Sequence, residues 1–175
     1  MKKLLAGCLI LFVIVIIALI VGFFALPKNY HVMRTVTIQG SPADIYAHVG
    51  HLDRWPEWTA WNTTKYPTLA YEPFQQTEGP GARMIWTMDK SRGELTLTQA
   101  SPDTGIGYDL VFDEAYRSKG EITFEPSGST TTVTWKNHGD LEGIMVLFGP
   151  FLDSMMGPDF QLGLEQLKQK VEQQR

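Results

Sequence analysis

The residues 51–61 read HLDRWPEWTAW, placing Trp55, Trp58 and Trp61, three of the five tryptophans in the chain, within seven positions. Indole faces attract cations and flat apolar molecules, so one reading is an aromatic cage. The other is a structural corner. Pro56 stops a helix, and Trp55 or Trp58 fills the gap beneath it, each bringing large apolar area and one N–H donor to satisfy. A second cluster, His138, Asp140 and Glu142 in KNHGDLEG, sets a histidine beside carboxylates, a pairing able to do acid–base work. Two glycines in so polar a stretch point instead to a loop. His31, His48 and His51 lack metal-ligand spacing with one another; His48 and His51, at i and i+3, are expected on a helix surface. Cys8 is the only cysteine, which excludes an internal disulfide and a thiolate cluster. No nucleophile elbow, phosphate loop or dinucleotide fingerprint occurs. No catalytic residue, metal site or cofactor is therefore expected.

Apolar alternation carries a stronger signal. Along residues 82–89, Met84, Trp86 and Met88 share one face of a strand, and Arg83, Ile85, Thr87 and Asp89 share the other. Tyr108, Leu110 and Phe112 alternate in the same way with Asp109, Val111 and Asp113, and Phe124 and Trp135 continue the theme on later strands. Such a wall suits an apolar ligand, since methionine thioethers re-pack around variable shapes. The same pattern also describes ordinary core with no ligand, and both readings stand.

Those side chains need elements to position them. Residues 31–38 read as a strand. Ser41, Pro42 and Asp44 open a helix as N-cap, N1 and N3 of a capping box, with Ile45, Val49 and Leu52 as its buried stripe. Six strand-like runs follow, at 69–74, 82–89, 94–100, 107–112, 119–125 and 130–136, divided by turns such as GPG (79–81), SPDTG (101–105) and PSG (126–128). Short turns pair neighbouring strands antiparallel. Gly157-Pro158 is expected to open a long final helix, with Phe160, Leu164, Leu167 and Val171 on its apolar face. The economical packing is a curved sheet around that helix, which brings Phe160 and Leu164 onto the wall. The stretch GIMVLFGPFLDSMM (143–156) is apolar and glycine-punctuated. It fits a lid, a surface dipping into a bilayer, a protein-docking surface, or a short buried helix sealing the sheet.

The N-terminus locates the chain. Residues 4–26 form 23 positions without a charge, roughly 34 Å of helix and enough to cross a hydrocarbon core. The run is too long for a cleaved signal, and Phe23 would stand at −3 of a cut after Ala25. Leu5-Ala6-Gly7-Cys8 spells a lipobox, but the apolar region follows the cysteine where a lipoprotein has it before. An uncleaved anchor over 1–27 and a domain over 28–175 are expected. Lys2 and Lys3 keep the N-terminus inside, putting the domain on the periplasmic or extracytoplasmic side of the cytoplasmic membrane in a single pass. Without those two lysines, 13 basic and 19 acidic residues leave the rest of the chain at −6. Neither nucleic acid nor anionic lipid draws such a domain by charge.

The strand into SPADIYAHVGHLDRWPEW (41–58), and GPDFQLGLEQLKQKVE (157–172), resemble the START-like (SRPBCC) superfamily, in its polyketide cyclase/dehydrase branch. The resemblance covers roughly residues 30–173. It implies an α+β helix-grip fold, a curved antiparallel sheet around the C-terminal helix, here preceded by one transmembrane helix. Members bind lipid-, sterol- or polyketide-like molecules in an apolar cavity, and some are cyclases or dehydratases. The W-x-x-W corner recurs in members with very different ligands, which favours the structural reading of Trp55 and Trp58. Trp61 lies outside that motif and becomes the ligand-contact candidate. The expected wall is then Trp61, Met84, Trp86, Met88, Tyr108, Leu110, Phe112, Phe124, Trp135, Phe160 and Leu164. Three functions follow: a carrier of a small hydrophobic ligand, a cyclase/dehydratase-type enzyme, or an interaction module whose cavity is filled by its own side chains.

Overall fold

The computed structural model describes residues 2–174. Helix α1 (Lys2–Ala25) is followed by β1 (Asn29–Gln39) and α2 (Pro42–Val49). Six more strands follow: β2 (Ala70–Tyr71), β3 (Arg83–Met88), β4 (Ser91–Ser101), β5 (Gly105–Phe112), β6 (Tyr116–Ser127) and β7 (Thr130–Asp140). The chain closes with a 3₁₀ segment (Gly143–Phe148) running into α3 (Gly149–Gln173). The strands make one antiparallel sheet in the order β1-β7-β6-β5-β4-β3-β2. Only β1 is displaced from its sequence neighbours, and it closes the sheet beside β7 over eleven paired positions, from Asn29↔Asp140 to Gln39↔Thr130.

Local sequence explains the helix ends. Ser41 Oγ accepts from the Asp44 amide at 3.3 Å and the Ser41 amide donates to Asp44 Oδ2 at 2.9 Å, the reciprocal capping box. Trp55 donates its indole N–H to the Val49 carbonyl at 2.9 Å, satisfying an orphan acceptor at the end of α2.

Two expectations are corrected. The run 69–74 contributes only Ala70 and Tyr71 to the sheet, because the edge it would extend ends in the Pro73 segment. Helix α3 begins eight residues before Gly157, at the earlier Gly-Pro pair, Gly149-Pro150. Pro158 sits inside it, tolerated because Gly157 has no Cβ to meet the proline ring and its bare face receives the Arg34 guanidinium. Arg34 in turn makes paired hydrogen bonds from Nη1 and Nη2 to the Asp153 carboxylate, 2.8 and 3.0 Å, tying β1 to the first turns of α3.

The inner face of the sheet meets α2 and α3. Leu164, Leu167, Ile38, Ile45, Val49, Trp55 and Trp58 are wholly buried there. Among the described residues, none of α1 belongs to this core. Gly7–Ala25 of α1 is a helix long and apolar enough to cross a membrane; none of these residues is buried, and Gly22 and Phe23 near its end are partly covered.

Candidate ligand-binding face

Strand register turns the inner face into rows. Tyr71, Trp86, Gly93 and Phe112 make the first. Met84, Leu95, Leu110 and Ser118 make the second. Leu97, Tyr108, Gly120, Asn137 and Val32 make the third, and Ile106, Ile122, Trp135 and Arg34 the fourth. Two rings lie flat on the sheet because their cross-strand partners are glycines. The Trp86 indole occupies the place a Cβ on Gly93 would take, and the Tyr108 phenol does the same over Gly120.

All five tryptophans join in one network. Trp55 and Trp58 pack on each other at 5.3 Å between centroids and on Trp135 at 5.8 and 5.5 Å. Trp61 stacks over Trp86 at 6.5 Å and stands edge-on to Trp135 at 5.8 Å and to Phe160 of α3 at 6.2 Å. Trp61 thus plugs the gap between sheet and helix, while Trp55 and Trp58 form the buried corner beneath α2.

Every residue of the sequence-derived wall points to this one face, but burial divides it. Met84, Trp86, Tyr108, Phe124, Trp135, Phe160 and Leu164 are buried against protein. Trp61, Met88, Leu110 and Phe112 are half-buried, with Tyr71 and Phe74 beside them. Tyr71 donates to the Trp61 carbonyl at 2.7 Å, holding the plug's backbone to the edge of the sheet. The part-open end therefore lies along β5–β4–β3 under the Trp61 loop.

A polar chain threads the buried part. Trp135 Nε1 donates to Tyr108 Oη at 2.9 Å. Tyr30 Oη donates to Asn137 Oδ1 at 2.7 Å, and Asn137 Nδ2 donates to Ser118 Oγ at 3.3 Å. Burial pushes the Tyr108 phenol up to about 12, against smaller opposing effects of its hydrogen bonds with Trp135 and Asn137. Burial raises Tyr30 as well. Tyr30, Ser118 and Asn137 were not singled out from sequence. The alternation of Val133 and Trp135 carried one residue further would have placed Asn137 inward.

The arrangement can bind apolar surface and offer phenol, amide and hydroxyl hydrogen bonds. Among the described residues it brings no acid and base together on the inner face. Asp89 and Glu114 are exposed in hairpin turns, and Arg34 is engaged with Asp153. His138 and Asp140 sit at the exposed end of β7, and Glu142 precedes the 3₁₀ segment; no hydrogen bond or ion pair joins the three among the described residues. Register places His31 opposite His138, yet no group of three metal-ligating side chains forms among the described residues. An open groove of about 760 Å³ lies at this end of the sheet, lined by residues of both its faces, with His138, Lys119 and Asp109 from one and Tyr30, Leu110 and Ser118 from the other.

His48 departs from expectation: it is buried, because it shares the inward stripe of α2 with Ile45 and Val49. Neither ring nitrogen, nor Trp58 Nε1, has a hydrogen-bond partner among the described residues. Burial lowers the His48 pKa and nearby Arg54 and Lys170 act the same way; the Gln174 amide and Glu57 oppose them, the amide falling short of hydrogen-bond geometry.

Residues 30–172 match the family model for polyketide cyclase / dehydrase and lipid transport. The chain belongs to that family. No curated protein sequence matches it. Solved structures of the polyketide cyclase fold superpose on it over most of its length. A Thermobifida fusca protein is 17% identical with a TM-score of 0.62, covering 82% of this chain and 93% of its own. A Thalictrum norcoclaurine synthase point mutant is 10% identical with a TM-score of 0.62, covering 83% and 96%. The di-domain ARO/CYC StfQ of the steffimycin biosynthetic pathway is 14% identical with a TM-score of 0.62, covering 84% of this chain and 52% of its own. At these identities the likeness establishes the fold, which this polyketide cyclase/dehydrase family member pairs with one apolar N-terminal helix.

Proposed function

We propose that this chain is a membrane-tethered binding domain, with residues 1–27 as anchor and 28–175 as a START-like domain that takes a small apolar ligand, lipid-, sterol- or polyketide-like, on its inner face. The observation that carries this reading is the half-buried apolar band of Trp61, Met88, Leu110 and Phe112, contiguous with a buried aromatic wall and a hydrogen-bonding chain. Burial of such surface contributes about 25 cal/mol per Å², and a few polar groups fix orientation. A ligand enters by displacing Trp61 from between Trp86 and Phe160, since the plug is the one wall residue supplied by a loop.

Because the core contains no α1 residue among the described residues, residues 28–175 are the material to test. Native mass spectrometry after detergent-free purification is expected to show a stoichiometric apolar adduct, diminished in Trp61→Ala. A uniformly ligand-free mass, with no apolar probe taken up, would sink the reading.

A second reading, the non-catalytic interaction module, is favoured by the Trp135–Phe160 stack that fills the middle of the interior. It expects the ligand-free result together with a binding partner for residues 143–156. Placement of the domain outside the cytoplasm is supported by Lys2 and Lys3 alone. A periplasm-dependent reporter fused after Arg175 is expected to be active, and an inactive fusion reverses the orientation.

A further inference from the structure

The segment joining β7 to α3 exposes large apolar side chains at regular spacing. Ile144 is 68% exposed, Phe148 47%, Phe151 59% and Met155 63%. Phe148, Phe151 and Met155 run i, i+3 and i+7, one stripe along the opening turns of α3, and Ile144 lies just before them in the 3₁₀ segment. The opposite side of the same segment is anchored: Val146 is buried, and Asp153 holds Arg34 of β1. The stripe is therefore a fixed outward-facing surface of a folded element.

Its position relative to α1 says what covers it. Leu147 packs on Gly22, its Cδ2 3.3 Å from where a Cβ would stand. Gly22 lies three residues inside the end of α1 at Ala25, which at 1.5 Å per residue is roughly 4.5 Å below the helix end. The chain re-enters the domain at once: the Leu141 amide donates to the Lys28 carbonyl at 2.7 Å. The 3₁₀ segment is thus held at the level of the last turn of the apolar helix, alongside it and not above it.

Resting on the anchor reading above, we propose that Ile144, Phe148, Phe151 and Met155 insert into the interfacial region of the same bilayer that α1 crosses. They hold the domain against the membrane as a second, non-covalent contact. An apolar stripe lying in the plane of the interface is a recurrent mode of membrane attachment, and a contiguous exposed apolar patch marks an interaction surface. Charge cannot supply this attachment, since the domain carries a net of −6 without Lys2 and Lys3. The lipid needed is accordingly neutral.

The test uses the full chain with Cys8→Ser in phosphatidylcholine nanodiscs, carrying a nitroxide on a single cysteine at position 148, 151 or 155. Position 14 within α1 and position 125 at the far end of β6 serve as references. The ratio of collision with oxygen to collision with a water-soluble nickel chelate is expected to be several-fold higher at 148, 151 and 155 than at 125, approaching that at 14. A water-like ratio at the three positions with a lipid-like ratio at 14 overturns the proposal and leaves the anchor standing. A water-like ratio at 14 overturns both. Dipolar broadening at 151 that vanishes on dilution with unlabelled chain puts a second copy on the stripe and overturns the proposal.

Discussion

The Trp135 indole of β7 and the Phe160 ring of α3 lie 4.3 Å apart between centroids and 12° from parallel. This single stack couples the middle of the sheet to the gripping helix, and both residues are buried. Removing Phe160 leaves a hole between layers that the backbone cannot close. Phe160→Ala is expected to destabilise residues 28–175 by about 3–5 kcal/mol, and Phe160→Leu by distinctly less. Urea unfolding followed by tryptophan fluorescence reads both; near-equal losses would mean that the stack has no special packing role.

Tyr108 receives the only hydrogen bond of the buried Trp135 N–H. Tyr108→Phe keeps the ring over Gly120 but orphans that donor, an expected loss of about 1–3 kcal/mol. In the parent protein the Tyr108 phenol, held near 12, stays neutral when an unfolded tyrosine near 10 has ionised. Its contribution is complete below pH 10 and is lost as pH rises through 12. Unfolding free energies measured from pH 8 to pH 11 are expected to fall less steeply at the alkaline end in Tyr108→Phe.

His48 works at the other end of the scale. Its lowered pKa means that the folded state resists protonation while the unfolded chain, near 6.5, accepts it. Stability is full above pH 6.5 and is lost as pH falls through the folded value. His48→Phe is expected to flatten the stability curve between pH 7 and pH 5, measured by thermal unfolding; an unchanged slope would place the acid sensitivity elsewhere.

Gly93 offers a way to move the plug without touching it. A methyl there overlaps the Trp86 ring, which must lift toward Trp61. Gly93→Ala is expected to cost about 1–3 kcal/mol and to expose Trp86 and Trp61 to acrylamide quenching. Gly120→Ala, which forces the fully enclosed Tyr108, is expected to cost more than Gly93→Ala.

Periodicity made much of this legible in advance. Strict alternation along 82–89 and 107–112 put the right side chains on the right face, and Ser41, Pro42 and Asp44 marked α2 through backbone donors that only such a cap satisfies. The start of α3 is masked in the sequence because two Gly-Pro pairs, 149–150 and 157–158, carry the same boundary signal, and the contact of Arg34 with Gly157 that distinguishes them is long-range. Residue type points His48 to the surface, whereas its position in the stripe of Ile45 and Val49 turns it inward. The chain of Tyr30, Asn137 and Ser118 depends on pairings between residues some twenty to a hundred positions apart, and no local pattern announces such contacts.

Three residues, Leu26, Pro27 and Lys28, separate α1 from β1. Fully stretched they span roughly 10 Å, less than the domain's own width. On the anchor reading proposed above, a domain on so short a leash cannot ferry cargo across a compartment to another membrane. Its encounters would be confined to a thin shell above one bilayer, where molecules arrive by lateral diffusion and neighbours are met side by side. A ligand taken up on that reading is collected and surrendered at that surface, which makes the proposed carrier a station and not a shuttle.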